Sequence, residues 1–297
     1  MTRTYGSQDM FSPLRTVLLK RPDDAFAVDD PAVWHYAGKP DLAAAQQEHD
    51  NLAAILRQAG AEVVYHDEPL PNHADAIYAF DPALVTDAGA VILSMGKQLR
   101  RGEEEAMARC FERMSVPILA RLHGEARAEG GDLLWLDHDM LAVGIGFRTN
   151  AEGFRQLREV LSAIGVEVLP FELPYYTGSE ACLHLLSLIS IVDHRTAVVY
   201  PPLMAVPFWQ ELERRNFKLI VIPEAEFSTM GTNVLALAPR KCLVLEGNPV
   251  TKALLEEASC EVITYRGNEI SLKAEGGPTC LTCPVWREYL SRLFHFL

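Results

Sequence analysis

Residues 132–173 read DLLWLDHDMLAVGIGFRTNAEGFRQLREVLSAIGVEVLPFEL, and the spacing of their apolar residues defines one folding unit. Leu133 to Leu136 has the character of a buried strand, Asp137-His138-Asp139 of a turn, and Met140 to Ile145 of a second strand. Asn150 can cap a helix that carries Phe154, Leu157, Leu161 and Ile164 on one face. Gly165 ends that helix and VEVLPF supplies a closing strand, which makes the unit ββαβ.

The same order recurs along the chain. HLLSLISIVDHRTAVVYPPLMAVPFWQELERRNFKLIVIPE (184–224) and NVLALAPRKCLVLEGNPVTKALLEEASCEVITY (233–265) follow it closely. ALVTDAGAVILSMGKQLRRGEEEAMARCFERMSVPIL (83–119) is a less regular copy. A fifth unit starts at LRTVLLKRP (14–22) and ends with LAAILRQAGAEVVYHDE (52–68), with a long insertion between them. Units of this size cannot bury their apolar faces alone and are expected to pack into one body. A ring of five is the natural closed solution, although an ordinary α/β sheet fits the alternation equally well. No low-complexity or Ser/Gly-rich linker interrupts the pattern, so a single domain over 1–297 is expected.

Composition narrows the class. Hydrophobic content is 49% and charged content 23%, ordinary for a globular enzyme-sized chain of 297 residues. Lys+Arg number 27 against Asp+Glu 40, a formal charge of −13, which argues against a nucleic-acid surface. The N-terminus lacks the apolar stretch of a secretory signal, and no apolar run approaches the roughly 18 residues of a membrane span. Of six cysteines, at 110, 182, 242, 260, 280 and 283, four lie in apolar or helical settings with no framework spacing, which fits reduced thiols and a cytoplasmic protein.

EGGPTCLTCPVWRE (275–288) holds the residues with the most chemistry. As zinc ligands, Cys280 and Cys283 need two partners that no second CxxC or HxxxH supplies. As a redox pair they should open a helix after the first strand of a βαβ unit, yet they sit near the end of the chain before Pro284. As a nucleophile, Cys280 follows a glycine-rich backbone that lets a substrate approach, and it needs a histidine partner. Two buried apolar cysteines are the plainer alternative.

Of the histidines, His66, His73, His123, His138, His194 and His295 lie among polar residues, whereas His184 begins a repeat strand. A lone histidine in that setting is more commonly a hydrogen-bonded core residue than a catalyst. Glu129 precedes Gly130-Gly131 before another repeat's first strand, and Asp81 in FDPALV precedes another. Asp81, Glu129, His184 and Cys280 thus fall at repeat junctions, which a ring would gather at one end of its axis.

Together, FDPALV, EGGDLLWL…VGIGFRTN, LHLLSLISIVD and GGPTCLTCP resemble the guanidino-group modifying enzymes of the pentein superfamily. These are arginine deiminases, dimethylarginine dimethylaminohydrolases and amidinotransferases. The resemblance spans about residues 11 to 290 and implies a five-bladed α/β propeller of ββαβ repeats. It makes Cys280 the nucleophile, His184 the general acid/base, Glu129 its carboxylate and Asp81 the acid that grips the guanidinium. Arg100 and Arg148 match positions that bind the substrate carboxylate in arginine deiminases. Such a mechanism needs no metal and no organic cofactor.

Arginine deiminases and amidinotransferases also carry Asp two residues after the histidine. Leu186 stands there in this chain, which favours a substituted guanidinium or a rearranged clamp, whereas TCLTCPVWR is closer to the deiminase and amidinotransferase motif. The resemblance therefore implies a hydrolase of arginine or Nω-methylated arginine that forms citrulline. An amidinotransferase or arginine dihydrolase built on the same residues is the alternative. A non-catalytic pentein, like the ribosome anti-association factor of archaea and eukaryotes, is the reading from another class. The expected partner is a small guanidino substrate, with no nucleic acid and no membrane, and a homodimer is the default assembly.

Overall fold

The computed structural model describes residues 4–180 and 183–289, so Cys182 and His295 lie outside the described residues. Its strands form five three-stranded sheets. In the unit first read from the sequence, β6 (Leu133–Asp137) pairs antiparallel with β7 (Met140–Ile145). Helix α3 (Ala151–Ser162) then returns the chain to β8 (Glu167–Glu172), parallel to β7 from Met140↔Glu167 to Ile145↔Glu172. Asn150 caps α3 by accepting from Gly153 N–H at 2.8 Å, and Gly165 takes φ 82° just beyond the helix.

Three further sheets repeat this plan. They are β3 (Ala83–Thr86), β4 (Gly89–Ile92), α2 (Glu103–Arg113) and β5 (Ile118–Arg121); β9 (Ile189–Asp193), β10 (Thr196–Val199), α4 (Val206–Arg214) and β11 (Lys218–Val221); and β12 (Leu235–Ala238), β13 (Lys241–Leu245), α5 (Pro249–Glu257) and β14 (Glu261–Tyr265).

The N-terminal unit departs from its expected form. β1 (Leu14–Leu19), α1 (Leu42–Gln58) and β2 (Glu62–Tyr65) supply the parallel half alone. The missing antiparallel strand is β15 (Cys283–Arg287), which pairs Leu18↔Cys283 from the other end of the chain. The strand Cys283–Arg287 therefore closes the architecture.

Strand alternation explains how the sheets pack. Leu133 and Trp135 face Leu84 and Val91 of one neighbouring sheet, while Leu134 and Leu136 face Ile189 and Ile191 of the next. Val192 and Val198 continue to Cys242 and Val244, and Leu235 and Leu243 continue to Val17 and Leu19. Leu18 and Val285 complete the circuit against Val85 and Ile92. Each sheet is apolar on both faces because each is sandwiched between two others. The result is a five-bladed α/β propeller, and each fully buried Leu or Phe in these layers contributes about 1.5–3 kcal/mol.

Two buried histidines weaken this fold in acid. Burial pushes His49, within α1, and His66, after β2, each down to about 4 from 6.5. Between those values the unfolded chain binds the protons that the folded chain refuses, so stability falls with decreasing pH. Each histidine costs up to about 3 kcal/mol across that window. The buried Glu103 and Asp132 carboxyls, raised to about 7 and about 6, act in the opposite sense over this window, so the histidine contribution is read by difference: the Tm of His49→Phe should rise relative to wild type as pH falls from 7 to about 4.5.

Candidate active site

The turns leading into the first strands of the blades converge at one end of the ring. Asp81 lies just before β3, Glu129 before the 3-10 turn Gly130–Asp132 that leads to β6, and His184 before the 3-10 turn Leu185–Ser187 that leads to β9. Cys280 precedes β15. The structure brings these together: Asp81, Glu129 and His184 each place a side-chain atom within 4.8 Å of the others. Cys280 lines the same small cavity as Asp81, His184, Arg100 and Arg148.

Glu129 is fully buried behind the histidine. Its Oε2 accepts from His184 Nε2 at 2.8 Å, its Oε1 accepts from Lys97 N–H at 2.8 Å, and Arg148 Nη1 stands 3.3 Å away. Burial works to raise this carboxyl, but the His184 hydrogen bond and the Arg148 charge outweigh it and hold Glu129 well below the usual carboxylate range. The His184 backbone is fixed in turn: its N–H donates to Ser187 Oγ at 3.1 Å, and the following Leu185 N–H donates to buried Asp132 at 3.0 Å.

Gly131 packs against the imidazole so closely that a Cβ there would lie 2.3 Å from His184 Nδ1. Gly131→Ala is therefore expected to displace the ring and cut turnover about 10²-fold, with KM changing far less. Steady-state kinetics on the purified variant checks this.

The glycines before Cys280 have a packing role beside the one their sequence suggests. A Cβ on Gly276 would lie 2.0 Å from Tyr78 and one on Gly277 2.4 Å from Asn233, so both make room for neighbouring side chains, and Gly276 also borders the cavity that holds Cys280. Cys283 sits 2% exposed on β15, in the apolar layer with Leu18, and burial pushes its thiol up to about 12. It is a packing residue.

Arg100 is also placed differently. It is buried against Asp81 (2.5 Å), Glu103 (2.7 Å) and Tyr78 O (2.9 Å). The resemblance assigns it to a substrate carboxylate, whereas its contacts here orient Asp81, whose other oxygen accepts from Gly131 N–H at 2.8 Å. Arg148 borders the cavity and contacts Glu129. Leu186 turns into the apolar layer with Leu134 and Ile189, so the position where the resemblance would put a second clamping acid faces core.

Sequence reasoning did not single out Lys97, Asp75, Asp132 or Asn233. Lys97 pairs with Asp75 at 2.6 Å, and Asn233 Nδ2 donates to Cys280 Sγ at 3.2 Å. Asn233 stands just before β12, the one remaining blade junction, so the ring reading itself held the signal.

Beyond Cys280 and His184 lies a second chamber of about 520 Å³, bordered by Glu180, Glu275, Phe227, Met230 and Asn233. The cluster of Asp81, Glu129 and His184 has the spacing of a metal site. Its carboxylates, however, already engage Arg100, Arg148 and His184, an environment matched to guanidinium-like cations.

The family model described as N,N dimethylarginine dimethylhydrolase, eukaryotic, matches residues 33–287. The chain belongs to this family. Membership places it in the pentein superfamily, among hydrolases of carbon–nitrogen bonds in linear amidines. It is 28% identical to the N(G),N(G)-dimethylarginine dimethylaminohydrolase of Pseudomonas aeruginosa, over 83% of this chain and 91% of that one. It is 29% identical to the arginine deiminase of Listeria welshimeri, over 75% of this chain and 63% of the relative.

In fold it is similar to Pseudomonas aeruginosa dimethylarginine dimethylaminohydrolase complexed with citrulline, with TM-score 0.77, 23% identity, and 91% of this chain and 99% of that one covered. The amidinotransferase of saxitoxin biosynthesis from Microseira wollei shares the fold with TM-score 0.77 and 15% identity, over 96% of this chain and 98% of that one. No helix among the described residues is long and apolar enough to cross a membrane.

Proposed function

We propose that this protein hydrolyses Nω-methylated arginine, releasing a methylamine and forming citrulline. The observation that carries the reading is the Glu129–His184 pair beside Cys280 on one cavity, with Leu186 turned into the core where a second clamping acid would stand. A substituted nitrogen has fewer N–H groups to satisfy, so a single carboxylate at Asp81 suits it better than two.

A guanidinium carbon is a poor electrophile because its charge is delocalised. Asp81 would hold the plane by charge-assisted hydrogen bonds while the Cys280 thiolate attacks the carbon from above. His184 gives a proton to the departing amine, leaving a thiouronium carbon bonded to sulfur. Water then attacks that carbon and gives its proton back to His184, and the carbon–sulfur bond breaks to release the ureido product and the thiolate. Arg148, bordering the cavity, would meet the substrate carboxylate, while Arg100 holds Asp81. Among the described residues, Cys110, Cys242, Cys260 and Cys283 carry free thiols, which suits a reducing compartment such as the cytoplasm.

Amidinotransfer is the second reading, favoured by the 520 Å³ chamber beyond Cys280, where Glu180 and Glu275 could receive an amine in place of water. Mass spectrometry of products from arginine, monomethylarginine and asymmetric dimethylarginine separates the readings. Citrulline from the methylated substrates supports the hydrolase. Ornithine from arginine, formed only when glycine or lysine is added, supports transfer, and ornithine without an acceptor supports a dihydrolase. No change in any of the three overturns the arginine assignment.

A further inference from the structure

Four of the five blade junctions supply residues already placed in the site; the fifth, before β12, supplies Asn233. Its side chain is 6% exposed and donates from Nδ2 to Cys280 Sγ at 3.2 Å. The amide cannot face the other way. Thr279 N–H donates to Asn233 Oδ1 at 3.0 Å, so a flipped amide would set two donors against each other there. Gly277 packs on the amide carbon, where a Cβ would come within 2.4 Å, and holds the group in place from the other side.

We propose that Asn233 is a further catalytic residue, a fixed amide donor that stabilises the thiolate of Cys280 before substrate binds and again as the carbon–sulfur bond breaks. The inference rests on the reading of Cys280 as nucleophile. It gives the thiolate a preorganised donor whose strength does not depend on the charge of the substrate. The negative charge that forms on sulfur gains a hydrogen bond from a neutral group, and no proton moves. The donor also lies on the wall of the large chamber, so it meets the sulfur from the side open to an incoming nucleophile.

The test is the pH dependence of Cys280 alkylation by iodoacetamide without substrate, followed by mass spectrometry of the Cys280 peptide. Asn233→Ala is expected to move the midpoint up by about one unit, a tenfold loss of thiolate at neutral pH. Its kcat should fall about tenfold at neutral pH and recover at alkaline pH, with KM little changed. The near-isosteric Asn233→Asp keeps the Thr279 contact but turns a carboxylate oxygen on the sulfur, so its midpoint should rise further. Gly277→Ala, which retains Asn233 but displaces its amide, should shift the midpoint in the same direction.

An unchanged midpoint in Asn233→Ala and Asn233→Asp, with turnover reduced equally at all pH values, overturns the proposal and leaves Asn233 a packing residue. Because alkylation requires no turnover, a midpoint shift in a protein whose Cys280→Ser variant stays active would instead locate the failure in the nucleophile assignment.

Discussion

Cys280→Ser is expected to lower turnover by about 10⁴–10⁶-fold while leaving the fold intact, the range seen when a nucleophile that works as a unit with its partners is removed. A serine hydroxyl holds its proton far more tightly than a thiol, and a cation in the cavity cannot lower it enough to populate the alkoxide. The structure has little reason to object to the change. Cys280 is partly exposed on the rim of two cavities, and a hydroxyl can still accept from Asn233. Thermal stability should therefore change by less than about 1 kcal/mol. Quenched wild-type protein should show an added mass on the Cys280 peptide, which the variant lacks. Retained turnover in Cys280→Ser would remove covalent chemistry from the proposed mechanism altogether.

The repeat plan was legible because it is local. Strand, turn, strand and helix in 132–173 declare themselves through spacing and through Asn150 and Gly165, each acting within a few residues. Ring closure was less legible: the pairing Leu18↔Cys283 joins opposite ends of the chain, and the PVWR stretch carries no mark naming β1 as its partner. The junction logic found Asp81, Glu129, His184 and Cys280 because acids, histidine and cysteine draw attention. It passed over Asn233, since an asparagine before a strand reads as an ordinary turn residue. Glu129's bond to the Lys97 backbone has no sequence signature, because any residue can offer an N–H. Arg100 shows a different failing: a motif records that an arginine is present, whereas burial decides what it touches.

Arg100→Leu is expected to be the most destabilising single change at the site, by about 3–5 kcal/mol, because it strands partners that are themselves buried. The guanidinium answers Asp81, Glu103 and the Tyr78 carbonyl together, and Glu103, 2% exposed, would be left buried without its cation. Even beside Arg100, burial pushes the Glu103 carboxyl up to about 7, so without the cation it must take a proton to remain inside.

The sign of the pH effect follows. A carboxyl raised in the folded state binds a proton that the unfolded chain releases above about 4.5, so stability is lost as pH rises. Because His49 and His66 titrate in both proteins, the effect is read by difference: the loss of Tm relative to wild type should be markedly smaller at pH 5.5 than at pH 8, a contrast that differential scanning calorimetry reads directly. Arg100→Lys retains a charge but lacks the planar fork that reaches both carboxylates, so it should fall between wild type and the leucine variant. If Arg100→Lys instead folded with wild-type stability and raised only KM, the arginine's main task would be the substrate carboxylate, as the family resemblance implies. Asp81 would then owe its orientation to Gly131 N–H alone.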